Sequence, residues 1–252
     1  MGILNVTPDS FSDGGMWTDP ETAVRHAVEM VGQGASVIDV GAESTRPGSE
    51  PVSAEEELRR LRPVVRRLAS ELDVPVSVDT MKAEVAAECI SLGAEIINDV
   101  NGLRGPGMAE VCASSGVYAV IMHMPGGMGS VHAGEMGDGF AEDIRSSLEN
   151  LASSAMDAGV RRDRIILDPG IGFGKSMEQN LWILDHSSYF SCGFPVLSAS
   201  SRKRVVAWAY PDTDIDVASA DAASRAAESG ADMVRVHNVA ATAAALDRNL
   251  SR

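Results

Sequence analysis

The chain alternates between two hydrophobic rhythms. Short runs rich in Val, Ile and Leu occur at Gly2–Leu4, Val37–Val40, Val76–Val78, Ile96–Ile97, Val117–Ile121, Ile165–Leu167, Val196–Leu197 and Met233–Val236. Brief β-branched runs of this kind read as buried parallel strands. Between them, apolar residues recur at helical spacing over Pro20–Gln33, Ala54–Leu72, Lys82–Leu92, Ala141–Ala158, Ala218–Ser229 and Val239–Asn249, and more weakly over Pro106–Ser115 and Gln179–His186. Gly34, Gly93, Gly116, Gly159 and Gly230 follow five of these segments, where a helix commonly ends in a left-handed residue. The Gly/Met-rich stretch Pro125–Gly139 predicts a long loop after the fifth strand.

Eight strand-then-helix units in 252 residues predict an α/β fold, a single (β/α)8 TIM barrel occupying residues 1–252 as one domain. An open doubly wound sheet is the alternative on pattern alone. In a barrel the C-terminal strand ends converge on one face, where active sites are built. The residues expected there are Asn5, Asp39 and Glu43, Asp79, Asn98 and Asp99, His123, Asp168, Ser201-Arg202-Lys203, and Arg235 with His237. A single acid such as Asp39 or Asp99 is explained equally well as a helix cap. Polar residues at the same phase of every repeat are better explained by a shared mouth.

Composition narrows the partners. A net charge of −15 and a pI near 4.7 oppose binding to nucleic acid or anionic membranes. Aromatic residues make up only 4 %, too few for base-stacking platforms. A small anion stays admissible, because charge farther than about 8 Å is screened at physiological salt. Cys89, Cys112 and Cys192 lack paired spacing and read as reduced thiols of a cytoplasmic protein. No apolar run approaches the ~18 residues of a membrane span. The opening M-G-I-L-N-V-T has no basic region or cleavage site and reads as carrying no export signal.

Residues 168–176, D-P-G-I-G-F-G-K-S, imitate a nucleotide loop without being one. The phosphate loop needs a glycine five positions before Gly174, where Pro169 stands, and the dinucleotide fingerprint fails at Lys175. The glycines instead let backbone lie against a flat ligand, with Phe173 as an apolar wall; Lys175 reads as a surface residue. In Val234-Arg235-Val236-His237 the valines alternate with Arg235 and His237, so the two polar side chains face the same way, into the mouth. Buried cations need an anionic partner. Loops after strands seven and eight commonly hold phosphate in such barrels. Arg202, Lys203, Arg235 and His237 therefore predict a phosphorylated substrate.

The segments G-I-L-N-V-T-P-D-S-F-S-D-G-G (2–15), D-V-G-A-E-S-T-R-P-G (39–48), S-V-D-T (77–80), I-N-D-V (97–100), M-H-M (122–124), D-P-G-I-G-F-G-K (168–175), S-R-K (201–203) and V-R-V-H-N-V (234–239) resemble, in order, the motifs of the dihydropteroate synthase family. The resemblance implies a pterin-binding TIM barrel that joins 6-hydroxymethyl-7,8-dihydropterin diphosphate to 4-aminobenzoate with Mg²⁺, is a target of sulfonamides, and forms a homodimer. It implies Asp168 as the carboxylate on the pterin edge, with Asp79, Asn98, Met122 and Lys203 as further pterin contacts. It also implies Arg235 and His237 as diphosphate anchors and Asn5 as the Mg²⁺ ligand. Thr45, Arg46, Pro47, Phe173 and Ser201 fall at its aminobenzoate pocket. With Lys203, Arg235 and His237 serving catalysis, no covalent intermediate is implied.

The chain departs from the family pattern at Ala42, usually glycine, at Gln179, frequently histidine, at Ser198-Ala199-Ser200 and across Pro125–Met136. Two other readings of the same barrel are a non-catalytic pterin or folate binder and a pterin-dependent methyltransferase. The first has no need of diphosphate anchors, the second none of S-T-R-P or S-R-K.

Overall fold

The structure is a computed structural model that describes residues 1–7, 19–44, 51–126 and 136–250, with residues 249 and 250 described by backbone alone. Its parallel strands are β1 (Gly2–Asn5), β2 (Ile38–Gly41), β3 (Val76–Asp79), β4 (Ile96–Asp99), β5 (Tyr118–Met122), β6 (Ile165–Asp168), β7 (Leu197–Ser198) and β8 (Met233–Val234). Strands β1 to β6 pair in sequence order, and β7 pairs with β8. Bridges Leu167↔Val196 and Gly2↔Val236 join these two groups, and the amide of Ile3 donates to the Val236 carbonyl at 2.9 Å. The sheet is thereby closed into the expected barrel rather than left open.

Helices alternate with the strands: α1 (Pro20–Gly32), α2 (Ala54–Glu71), α3 (Ala83–Ser91), α4 (Met108–Ser115), α5 (Phe140–Asp157), α6 (Met177–Asp185), α7 (Arg204–Ala209), α8 (Ile215–Glu228) and α9 (Val239–Leu250). Their starts follow local chemistry. Asp19 accepts the Thr22 amide ahead of Pro20, Ser53 accepts that of Glu56, and Ser176 and Gln179 form a reciprocal capping box. The five predicted terminator glycines all have positive φ, from 69° at Gly116 to 107° at Gly93. At Gly93 a Cβ would also lie 2.7 Å from that of Ala69, so neither backbone nor packing admits a side chain there.

Period-two alternation sorts each strand into two faces. Leu4, Ile38, Val40, Val76, Val78, Ile97, Ala119, Ile121, Ile165 and Leu167 point outward and pack with helix residues such as Leu61, Leu68, Ile144 and Leu148. Met1, Val37, Ile96, Val120, Ile166, Leu197 and Ala199 point inward and fill the barrel. The next inward positions toward the C-terminal end are the polar ones. A third apolar cluster, Val100, Met122 and Met124 with Met81 and Phe173 against it, lies on the mouth side.

Candidate functional site

Strand register alone builds one wall of the site. Asn5 pairs with Gly41, Gly41 with Asp79, and Asp79 with Asn98, so four neighbouring strands present these residues in one row. Met122 and Asp168 are likewise register partners on β5 and β6. Asn98, Met122, Asp168 and Ser201 are buried, and Asp79, Phe173, Lys203, Arg235 and His237 are partly exposed. Thr45, Arg46 and Pro47 lie outside the described residues. The chain flanking them is tied down: Glu43 accepts the Val52 amide at 2.9 Å and the Lys82 ammonium at 2.6 Å, and Lys82 also reaches the fully buried Glu57 at 2.6 Å.

Arg235 sits at the centre of a charge network. Its Nε donates to Asp39 at 2.6 Å and its Nη2 to Asp79 at 2.9 Å; Asn98 Nδ2 donates to the same Asp39 oxygen at 3.2 Å. The anionic partner required by this cation is therefore provided within the protein. Asp39 is not a helix cap. Asp99, by contrast, accepts the amides of Asn101 and Leu103 and organises the turn after β4. Burial pushes the Asp79 carboxyl up, with Arg235 opposing and Asp39 adding to the rise. Burial also raises Asp168, with Lys203 opposing most strongly.

The glycine stretch folds as a turn between β6 and α6. Gly170, Gly172 and Gly174 have φ of 72°, 88° and 59°, and the Gly170 amide donates to Asp168 Oδ1 at 2.7 Å. Lys203 reaches over from β7's loop: its ammonium donates to the Ile171 carbonyl at 2.6 Å and lies 4.8 Å from the centre of the Phe173 ring. Burial lowers this ammonium to about 8, against the pull of Asp168. A Cβ on Gly170 would fall 2.0 Å from the His123 carbonyl oxygen. Gly170→Ala is therefore expected to cost about 2–4 kcal/mol of stability by urea denaturation, since positive φ and a backbone clash act together.

Two expectations change here. Lys175 is not a free surface residue: its ammonium folds back onto the carbonyls of Gly170 at 2.8 Å and Phe173 at 2.9 Å. Arg202 does not face the mouth as an anion anchor. At φ 56° it turns to pair through Nε with Asp216 at 2.7 Å, and its amide donates to Ser219. Ser201 Oγ and His237 Nδ1 are 2.9 Å apart, joining the seventh and eighth strand ends. The departures are absorbed locally. Ala42 is fully buried and is not among the described non-glycine residues with positive φ. Gln179 completes the α6 cap and donates to the Met136 carbonyl at 2.6 Å.

The mouth thus brings together the carboxyl groups of Asp39, Asp79 and Asp168 with the basic groups of Lys175, Lys203 and Arg235, and burial lowers the Lys175 ammonium to about 7 against the pull of Asp168. Asn180 escaped the sequence reading. It is buried, accepts the Gly172 amide at 2.6 Å and donates to the Ser176 carbonyl at 2.7 Å; the only signal was a polar residue at a core phase of a weak helix.

Comparison with known proteins identifies the family. The family model described as "Pterin binding enzyme" matches residues 1–237. A dihydropteroate synthase of Bacillus subtilis (strain 168) is 44 % identical over 243 residues, covering 95 % of this chain and 83 % of the relative. A solved dihydropteroate synthase of Xanthomonas albilineans with 4-aminobenzoic acid superimposes with TM-score 0.91 at 42 % identity, covering 100 % of this chain and 91 % of the other. That of Yersinia pestis, in a sulfonamide drug complex, gives TM-score 0.94 at 39 % identity, covering 100 % and 94 %. With sequence and fold matching over nearly its whole length, the chain belongs to the pterin-binding enzymes, in the dihydropteroate synthase family.

Proposed function

We infer that the chain is a transferase that condenses 6-hydroxymethyl-7,8-dihydropterin diphosphate with 4-aminobenzoate, giving 7,8-dihydropteroate and diphosphate. One observation carries the reading: a buried carboxylate, Asp168, lies beside the apolar wall of Met122 and Phe173 in the same mouth as Arg235, His237 and Lys203. A pterin edge presents an amino group and a ring N–H side by side, which a carboxylate accepts together. Asp168 Oδ1 is already oriented by the Gly170 amide. Asp79 and Asn98 make further pterin contacts, Met122 packs on the ring, and Lys203 bonds the pterin from the Phe173 side. Thr45, Arg46, Pro47, Phe173 and Ser201 hold the aminobenzoate.

The reaction breaks the bond between the pterin methylene carbon and the diphosphate oxygen and forms a carbon–nitrogen bond to the aromatic amine, whose proton passes to solvent. Arg235 and His237 stabilise the departing charge. Arg235 uses Nε and Nη2 on Asp39 and Asp79, while Nη1 has no hydrogen bond among the described residues. Prealigned cations at a leaving group lower such barriers by a few kcal/mol each.

Mg²⁺ fits the donors present. Asn5 Oδ1 would lie 3.7 Å from a Cβ built on Gly41, which places the amide oxygen at the mouth beside Asp79. Among the described residues there is no cluster of three or more His, Cys, Asp or Glu for a closed metal cage. One hard oxygen plus substrate phosphates and waters is the usual arrangement for this ion. Asn5 would hold it, and when bound it would neutralise charge on the diphosphate. Asn5→Ala is expected to raise the Mg²⁺ concentration for half-maximal rate about tenfold, read from a metal titration, if Asn5 is the sole protein ligand.

No helix among the described residues is long and apolar enough to cross a membrane. The proposal includes a homodimer, read out by sedimentation as about twice the 26.5 kDa chain. The functional test is incubation with the pterin diphosphate, 4-aminobenzoate and Mg²⁺. Dihydropteroate formation is expected; pterin binding without product would identify a non-catalytic binder instead.

A further inference from the structure

We propose that Lys175 is a positioning residue of the pterin site: its ammonium ties the Gly170 and Phe173 carbonyls across the glycine turn and so holds Asp168, Phe173 and Lys203 in place for the ligand. The proposal rests on the functional reading above. A turn with glycines at φ 72°, 88° and 59° has little intrinsic preference for one shape. Its shape is imposed from outside, and the bonds that impose it converge on the site.

Asp168 accepts the Gly170 amide at 2.7 Å, and Asn180 accepts the Gly172 amide at 2.6 Å. The Ile171 carbonyl faces Lys203 at 2.6 Å. The carbonyls of Gly170 and Phe173 face Lys175, at 2.8 and 2.9 Å. Lys175 thus anchors the Phe173 backbone while Lys203 lies over its ring at 4.8 Å. Removing the anchor frees a wall of the pocket and, through Gly170, the orientation of Asp168. Neither Lys175 contact is with the expected substrate, so the residue acts through others.

The test compares wild type, Lys175→Met and Lys175→Arg in steady-state kinetics and in calorimetric titration with pteroate, with thermal unfolding measured alongside. Losing two hydrogen bonds at once justifies expecting a rise of about tenfold or more in the KM for pterin diphosphate and in the Kd for pteroate for Lys175→Met. kcat should stay within about threefold, and Lys175→Arg should recover most of the affinity. If Lys175→Met does not fold, Lys175→Gln, which keeps one N–H donor group, is expected to fold with a raised KM. Wild-type KM and Kd in the folded Met or Gln variant, whatever the Tm, would overturn the assignment. A wild type that neither binds pteroate nor forms product would overturn the functional reading and this assignment with it.

Discussion

Asp168→Asn is expected to lower kcat/KM by a few hundredfold to about a thousandfold, equivalent to about 3–4 kcal/mol. The carboxylate is a pure acceptor at two oxygens. Oδ1 accepts the Gly170 amide at 2.7 Å, which fixes the plane of the group toward the mouth. An asparagine can keep that bond with its oxygen, but then its NH2 faces the pterin's own N–H donors. A donor opposed to a donor in a buried site leaves both unsatisfied, and such mismatches are punished more heavily than a missing methylene. The variant also loses the negative charge that opposes the fall of the Lys203 ammonium. Because substitution at residue 168 preserves size, Tm should change little. The loss belongs to binding, and calorimetry with pteroate reads it directly.

Arg235→Ala is expected to damage both stability and catalysis. It leaves Asp39, fully buried, and Asp79, with 18 % side-chain exposure, facing each other without their cation. Breaking a buried pair from one side costs about 3–5 kcal/mol. The sign with pH follows from linkage. Burial already raises Asp79 in the wild type and Asp39 adds to it, while Arg235 opposes. Removing Arg235 raises the folded-state value further above the unfolded one. The folded protein then binds more protons than the unfolded chain in the interval between, so stability falls as pH rises through that window and is regained on acidification. Urea denaturation of the variant should therefore show higher stability at pH 5.5 than at pH 8, with the wild type showing a smaller difference. Activity should fall at every pH, because the proposed diphosphate site loses its central cation.

The barrel was legible in the sequence because its two periodicities are strong and its helix ends are marked. Val76–Val78 and Ile165–Leu167 have no other plausible burial, and all five terminator glycines adopted the backbone that only glycine takes cheaply. The short α7 went unread, since six residues carry less than two full turns of pattern. The row Asn5, Asp79, Asn98 was legible because strand-end position fixes register in a closed parallel barrel. Side-chain partners are another matter. Alternation said that Arg235 faces inward, but not that Asp39 and Asp79 would meet it, because that contact spans strands far apart in sequence. Arg202 and Lys175 were misread for the same reason: a long cation's direction is set by neighbours such as Asp216 and the Gly170 carbonyl, which no local pattern reveals.

The central claim is that inward side chains of separate strands form one pocket with an acid for the pterin and cations for its leaving group. A crystal structure of the protein soaked with pteroate tests it most directly. The account predicts the pterin edge on both oxygens of Asp168, its ring against Met122, and Lys203 and Arg235 within hydrogen-bonding or stacking reach. A ligand bound elsewhere on the protein, or one in the mouth with its pterin edge turned away from Asp168, would contradict it.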